Sequence, residues 1–583
     1  MKKREFARTA ACCALSVALA ASLSGCAAAG AASASDAASS SDVAATSAAS
    51  DAAATDDLSA YDLEYSKRDL DASYDATQAT YITLAEGASS AETYTHGSAD
   101  GVSISGNDIT ITQAGTYVLS GSLIDGCVFV NIDKEEKCQL VLNGVSISNG
   151  DGPCIYVMAA DKTFITLADG TQNTLVDGAD YTLNEDEEPT ATIFSKDDLT
   201  LNGTGTLSIT GNYRHAVHSK DDLVITGGTY VINAVEDALN GKDCLKICNG
   251  TFDITCGEDA LKSSNDSEEG RGFVAIDGGD FTISAGDDAV HAETLMRITA
   301  GTVNILTCYE GYEGAVVRID GGTTSIVASD DGINAASGSS SEGGMPMDSG
   351  GRGGAGGPDA GAGAGGASGL GAGGAAGGAG ASSPSDAGAA APGDSGAGVA
   401  PGSASGASEG AGASASTRKV VVAGGTTYVS AGGDGIDSNG SVEVSGGVLI
   451  VEGPTSNADS FFDYDSSATI TGGTVLMVGS AGMAQSFTGG TQAFAMASAS
   501  GSAGQTVILQ DAQGNEVASF AATKNFQVVL ASAHAAAEGD TLTVKIGSTE
   551  TALTASTTAT TSGFGAGGGR GGDMGGGRGG NRS

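Results

Sequence analysis

A glycine-anchored pattern recurring about every 22 residues constrains this chain more than any other feature. A Gly-Gly or equivalent pair opens each unit: Gly227-Gly228, Asn249-Gly250, Gly278-Gly279, Ala300-Gly301, Gly321-Gly322 and Gly424-Gly425. Counted from the second residue of each pair, position 4 is Ile232, Ile254, Ile283, Ile305, Ile326 and Val429. Position 9 is Asp237, Asp259, Asp288, Glu310, Asp331 and Asp434, followed by a small residue and then an apolar one, from Ala238-Leu239 to Gly435-Ile436. Units this short have room for two or three brief strands and for no amphipathic helix, so none can bury its apolar face alone. Stacked in register, the position-4 residues form an apolar ladder with a spacing of about 4.8 Å. The expected fold is all-β, a parallel β-helix; a β-sandwich would need hairpin turns and no constant register.

The same spacing organises the rest of the chain. Turn glycines at 205, 228, 250, 279, 301 and 322 give steps of 23, 22, 29, 22 and 21, and the long step contains a polar loop, Ser263–Gly270. The step from 322 to 425 is 103, and removing the 81 Gly/Ala/Ser/Pro-rich residues 337–417 leaves 22. That segment therefore reads as a disordered insertion within a β domain spanning 75–490. Alternating stretches after 490 predict an antiparallel C-terminal β module, 491–555, that covers the last edge. A Gly/Arg tail, 556–583, is expected to be disordered. At the other end, Lys2, Lys3, Arg4 and Arg8 precede a short apolar run ending in Leu23-Ser24-Gly25-Cys26. This has the form of a lipoprotein signal, residues 1–26, with Cys26 lipidated. Residues 27–60, rich in Ala, Ser and Asp, read as a disordered tether. The expected location is the cell surface, lipid-anchored to the outer face of the bacterial cytoplasmic membrane, as a monomer.

Charge narrows the partners. With a formal charge of −44, the chain lacks the Lys/Arg excess that nucleic acid demands. Cations are its natural partners. Stacking puts the position-9 acids on one edge, joined by Glu236, Glu258, Asp287 and Asp330 at position 8 and by Asn240, Glu313, Asn334 and Asp437 at position 12. Like charges at such spacing repel by about 1 kcal/mol per pair in water and more where the dielectric is lower. Asp and Gly also favour turns, which explains acids in loops but not a single register. Calcium, which takes six to eight oxygen ligands, is the expected cation outside a cell. Five histidines are too few to favour a transition-metal centre. The seven cysteines from Cys127 to Cys308 are expected to pack as small apolar residues or to form one or two disulfides.

The run Asp287-Asp-Ala-Val-His-Ala292, Cys308-Tyr-Glu-Gly-Tyr-Glu-Gly314, Ser329-Asp-Asp-Gly-Ile-Asn-Ala-Ala336, Gly433-Asp-Gly-Ile-Asp-Ser438 and Val451-Glu-Gly-Pro454 resembles a bacterial family of carbohydrate-binding domain-containing proteins. The resemblance covers roughly residues 75–550 outside the insertion. It implies a right-handed, pectate-lyase-like β-helix, calcium in an acidic trough, and binding of polygalacturonate or cellulose-like polysaccharide without catalysis. The metal positions it implies are Asp237, Asp259, Asp287, Asp288, Glu310, Glu313, Asp330, Asp331, Asp434 and Asp437. With no tryptophan in the chain, sugar stacking would fall to Tyr309, Tyr312 and Tyr428. Two other readings follow from the same residues. A polysaccharide lyase would use Lys262, beside Asp259, as its base. A surface stalk would use calcium only for stability.

Overall fold

The computed structural model describes residues 58–93, 100–182, 189–336 and 418–559. Cys26, most of the tether, the whole of 337–417 and the tail from 560 lie outside these residues. Among the described residues there is no α-helix, and one short 3-10 turn spans Leu58–Ala60. The architecture is all-β, dominated by a 35-stranded sheet that is mostly parallel, an arrangement compatible with a β-helix.

The parallel register follows the sequence repeat. Thr229–Ala234 pairs with Thr251–Cys256, which pairs with Asp280–Ser284, then Thr302–Cys308, then Thr323–Ala328. Each pairing joins equivalent positions, so Ile232, Ile254, Ile283, Ile305 and Ile326 stack as a buried column. The column reaches back through Ile209, Leu175, Ile147 and Leu123 and forward to Val451. Two positions after the turn glycine, Tyr230, Phe252 and Phe281 stack face to face, with centroids 5.1 and 4.5 Å apart. Thr323–Ala328 pairs directly with Thr426–Ala431, so the repeat resumes across 337–417 with Thr323 opposite Thr426.

Glycine is required at the turns by contact as well as by conformation. Gly301 has φ +98°, and a Cβ there would lie 2.6 Å from the Gly279 carbonyl oxygen. Gly425, at φ +73°, would meet the Gly322 carbonyl at the same distance. Only glycine adopts this geometry without strain while letting the next unit approach.

Three expectations need correction. First, the ordered chain begins before residue 75. Residues 58–78 lie across several units: Tyr61 packs edge-on against Phe273 at 5.4 Å, and Lys246 Nζ donates to the carbonyls of Asp62 and Glu64. Asp69 is buried, paired with Lys162 at 3.0 Å and accepting from Thr200 at 2.6 Å. The segment has no repeat of its own and is ordered by side chains that pair with residues far along the chain. Second, residues 556–558 are not tail: Ser556–Thr558 runs antiparallel to Gly489–Gly501. Third, there is no disulfide among the seven described cysteines; all are free and six are buried, so packing is their role.

Beyond 490, Phe526–Ser532 runs antiparallel to both Ser467–Gly479 and Gly489–Gly501. A separate four-stranded antiparallel sheet comprises Thr506–Gln510, Glu516–Ala521, Thr541–Ile546 and Thr549–Thr554. Tyr428, Ile450 and Leu476 share an apolar core with this sheet, so it is packed onto the repeat. A buried carboxylate also joins them. Glu452 accepts from the Thr523 and Lys524 backbone N–H groups at 2.7 Å and from Tyr428 and Thr523 hydroxyls, while Lys524 Nζ donates to Ala431 and Glu452 carbonyls.

Candidate functional site

The acidic edge consists of two parallel columns three residues apart. In the position-9 column the backbone carbonyls accept from N–H groups of the preceding unit: Ala238 donates to Asp259, Ala260 to Asp288, Ala289 to Glu310, Gly311 to Asp331 and Gly332 to Asp434, all at 2.9–3.0 Å. Most of the side chains do similar work. Asp237 Oδ1 accepts from the Asp259 N–H at 3.3 Å, Asp259 Oδ1 from Asp288 at 2.9 Å, and Asp331 Oδ1 from Asp434 at 2.6 Å. Asp434 does the same for the N–H of Ser460. A short carboxylate in this register therefore caps a backbone donor of the adjacent unit, which the turn needs in any case. That accounts for one oxygen of each of these four carboxylates.

What the rest of each carboxylate meets is decided by position 12. The strand register makes this a continuous column of His218, Asn240, Lys262, His291, Glu313, Asn334 and Asp437. In the first half, cationic or amide donors face the acids, although burial still raises the Asp288 carboxyl. Asp237 Oδ2 accepts from Asn240 at 2.7 Å and faces His215 at 3.2 Å, and Lys262 Nζ sits 2.7 Å from Asp259 and 3.6 Å from Asp237. Burial alone would raise the Asp237 carboxyl, but His215, Lys262 and Asn240 hold it well below the usual range. Burial likewise opposes charge on Lys262, yet Asp259 and Asp237 drive its ammonium above the ordinary lysine value. His291 is buried with Nδ1 2.6 Å from Glu313 and 3.1 Å from Asp288. Against the desolvation cost, hydrogen bonds to Asp288, Glu293 and Glu313 keep its imidazole charged to well above its normal pKa.

The second half contains no Lys, Arg or His in either column. Glu310, pushed up to about 7 by burial and by Glu313, Asp330 and Asp287, bonds only the neutral Asn334 amide, at 2.9 Å. Asp331 rises to about 8 from burial and the charges of Asp434 and Glu310. Asp434 rises to about 7 from burial and from Asp437, Asp463 and Asp459. Asp437 rises to about 6 from burial and from Asp463 and Asp465. At the end of the edge, Asp434, Asp437 and Asp463 bring carboxylate oxygens within 4.8 Å of one another. Oxygens bound at 2.3–2.6 Å to one calcium ion lie at most about 5.2 Å apart, so this spacing is within reach of a single ion. Buried Asn334, the register neighbour of Asp437, has an Oδ1 with no hydrogen-bond partner among the described residues. Oxygen-only donors and an orphaned amide oxygen fit a hard divalent cation.

Asp463 was not among the sequence candidates. The step from Gly447 to Gly473 is 26, so four extra residues displace it from position 12. The Ser438 N–H bonds the Asp463 carbonyl, and Asp463 N–H bonds Ile436, which places Asp463 beside Asp437. The match of Ser460-Phe-Phe-Asp463 to Asp434-Gly-Ile-Asp437 was the available signal. Of the other expected metal positions, Asp237, Asp259 and Asp288 are buried against protein donors, Asp287 is exposed, and Asp330 lies beside Asp331.

Two of the three tyrosines are corrected. Tyr312 is wholly buried with its hydroxyl 3.1 Å from Thr324, because position 11 points inward like Leu239 and Ile333. Tyr428 lies beneath the C-terminal sheet, 6.2 Å from Phe520, so neither ring can stack on a ligand. Tyr309 is 48% exposed, and a bond to Asp330 pushes its phenol up to about 12.

A repeat of parallel strands bearing a continuous polar edge defines the class as a β repeat protein that presents one long polar face. Residues 105–354 match the model for carbohydrate-binding domain-containing proteins. A carbohydrate-binding domain-containing protein of Acetivibrio thermocellus is 38% identical over 137 residues, 23% of this chain and 48% of that protein. The chain thus spans about half the length of this curated relative. A solved polysaccharide lyase-like protein from C. thermocellum, a gadolinium derivative, matches at 33% identity over 42% of this chain and 93% of its own, with a TM-score of 0.37.

Proposed function

We propose that this protein is a calcium-dependent polysaccharide-binding lipoprotein of the bacterial cell surface, built on a right-handed parallel β-helix of about 22 residues per coil. The observation that carries the calcium reading is the change along the edge from acids paired with Lys262 and His291 to acids without a cationic partner. Asp434, Asp437 and Asp463 would hold the ion, with Asn334 nearby. Calcium there would bring positive charge to a face that otherwise repels anions, and so allow uronate carboxylates to approach. Polygalacturonate or a related acidic cell-wall glycan is the favoured ligand. The match of residues 105–354 to the model for carbohydrate-binding domain-containing proteins supports a carbohydrate partner.

The reading is non-catalytic. The one lysine in the columns, Lys262, is held protonated between two carboxylates, the opposite of what a general base requires. The test is retention of the full chain on immobilised polygalacturonate in calcium and in EDTA, with ultraviolet absorbance recording unsaturated product. Retention in calcium alone, without product, is expected. Retention unchanged by EDTA overturns the calcium role, and product formation abolished by Lys262→Ala overturns the non-catalytic one.

A further inference from the structure

The position-12 column does not begin at the acids. Strand register continues it from His218 back through Phe194 and Tyr156 to Phe129. Successive rings contact one another, with centroids 6.0, 5.6 and 5.4 Å apart from Phe129 to His218. One face of the repeat is therefore aromatic at one end and carboxylate-rich at the other. Tyr156 and Phe194 are buried, and Phe129 is half-buried at the margin.

Phe129 and Tyr156 line a cavity of about 300 Å³, at the small end of the range for ligand pockets. The exposed carboxylates of Asp108, Asp125 and Asp151 also line it. Two are rigidly set: Asp108 Oδ1 accepts from the Cys127 N–H at 3.2 Å, and Asp125 Oδ1 from Gly150 at 3.0 Å. Each keeps a second oxygen with acceptor capacity. No Lys, Arg or His lines the cavity among the described residues. Among the described residues, the groups whose ligand atoms converge closely enough for a metal lie elsewhere, at Asp288/His291/Glu313 and Asp434/Asp437/Asp463.

We propose that this cavity is a binding subsite for one neutral pyranose residue of a glycan lying along the same face. The Phe129 ring takes the apolar C–H face of the sugar, and fixed carboxylates accept from its hydroxyls. A uronate is disfavoured because its carboxylate would meet three acids, while Lys196 Nζ, 5.8 Å from the Tyr156 ring centroid, is not part of the lining. The proposal rests on the reading that this face binds polysaccharide, but it does not require calcium.

The test is titration of the full chain with cellotriose and with trigalacturonate in EDTA, followed by saturation-transfer NMR and calorimetry. Cellotriose is expected to bind and trigalacturonate to bind more weakly. Phe129→Ala and the volume-conserving Phe129→Leu should each weaken cellotriose by about fivefold, the scale of an aromatic contact. Circular dichroism confirms that the variants are folded, and Phe129→Leu decides the matter where Phe129→Ala is not. Absence of cellotriose binding to the wild type, equal binding by Phe129→Leu, or preference for trigalacturonate overturns the subsite. Calcium-dependent retention on polygalacturonate, measured on the same preparations, separates the two claims. Retention without cellotriose binding leaves the calcium reading and removes the subsite; the reverse removes the calcium reading and leaves the subsite.

Discussion

At the scale of single residues, identical acids in one register have different chemistry because of what stands three residues later. Asp259 has Lys262, whereas Asp434 has Asp437. Asp437→Asn is expected to weaken calcium binding by about tenfold, as loss of one charged oxygen ligand does, read by calorimetry. Asp237→Asn should leave calcium affinity unchanged while lowering unfolding free energy by about 2 kcal/mol or more, because it strips a buried partner from Lys262 and His215. The pH response has a definite sign. Asp331, Asp434 and Asp437, raised to about 8, 7 and 6, hold protons in the folded state that the unfolded chain has already released. Their contribution therefore favours the folded state at low pH and is lost as pH rises through 6 to 8. Melting temperature in EDTA should fall across that window, fall less in calcium, and fall less in Asp331→Asn.

At the scale of elements, the repeat is closed by a clamp that its sequence motif does not reveal. Val451-Glu-Gly-Pro454 is recognisable as a motif, yet Glu452 is 1% exposed and serves as the shared acceptor for Thr523, Lys524 and Tyr428. Glu452→Ala leaves several buried donors unmet and should lower unfolding free energy by about 3 kcal/mol or more. Denaturant titration measures this, and Glu452→Gln should recover part of the loss. Strand positions were legible because a period near 22 leaves little freedom. The inward direction of Tyr312 was misread as sugar-facing, although position 11 elsewhere is Leu, Val or Ile. The burial of Tyr428 was not legible, because it depends on a sheet built from residues about 80 to 125 positions later.

At the scale of the molecule, the repeat bridges 337–417, and the early segment 58–78 binds units far along the chain. Joining Ala336 directly to Arg418 restores a step of 22, so this deletion should leave the melting temperature within about 2 °C, since loop-closure entropy varies slowly with length. Asp69→Ala should have a large effect, about 3 kcal/mol, because it leaves buried Lys162 with only the longer contact to Asp198 at 3.8 Å. Both are read by calorimetric or chemical unfolding of the full chain.

The spacing of glycines, isoleucines and acids determined the parallel architecture, the register across the insertion and the existence of an acidic edge. A short-period repeat has only one way to bury its apolar column, so its pattern is nearly its structure. Tertiary structure alone decided which acids are compensated, that Asp463 joins Asp434 and Asp437, and that the same face begins with Phe129 and Tyr156. Those outcomes depend on neighbours in adjacent units, about 22 to 29 residues away. Only folding brings the charges and rings together that set desolvation, pairing and cavity shape.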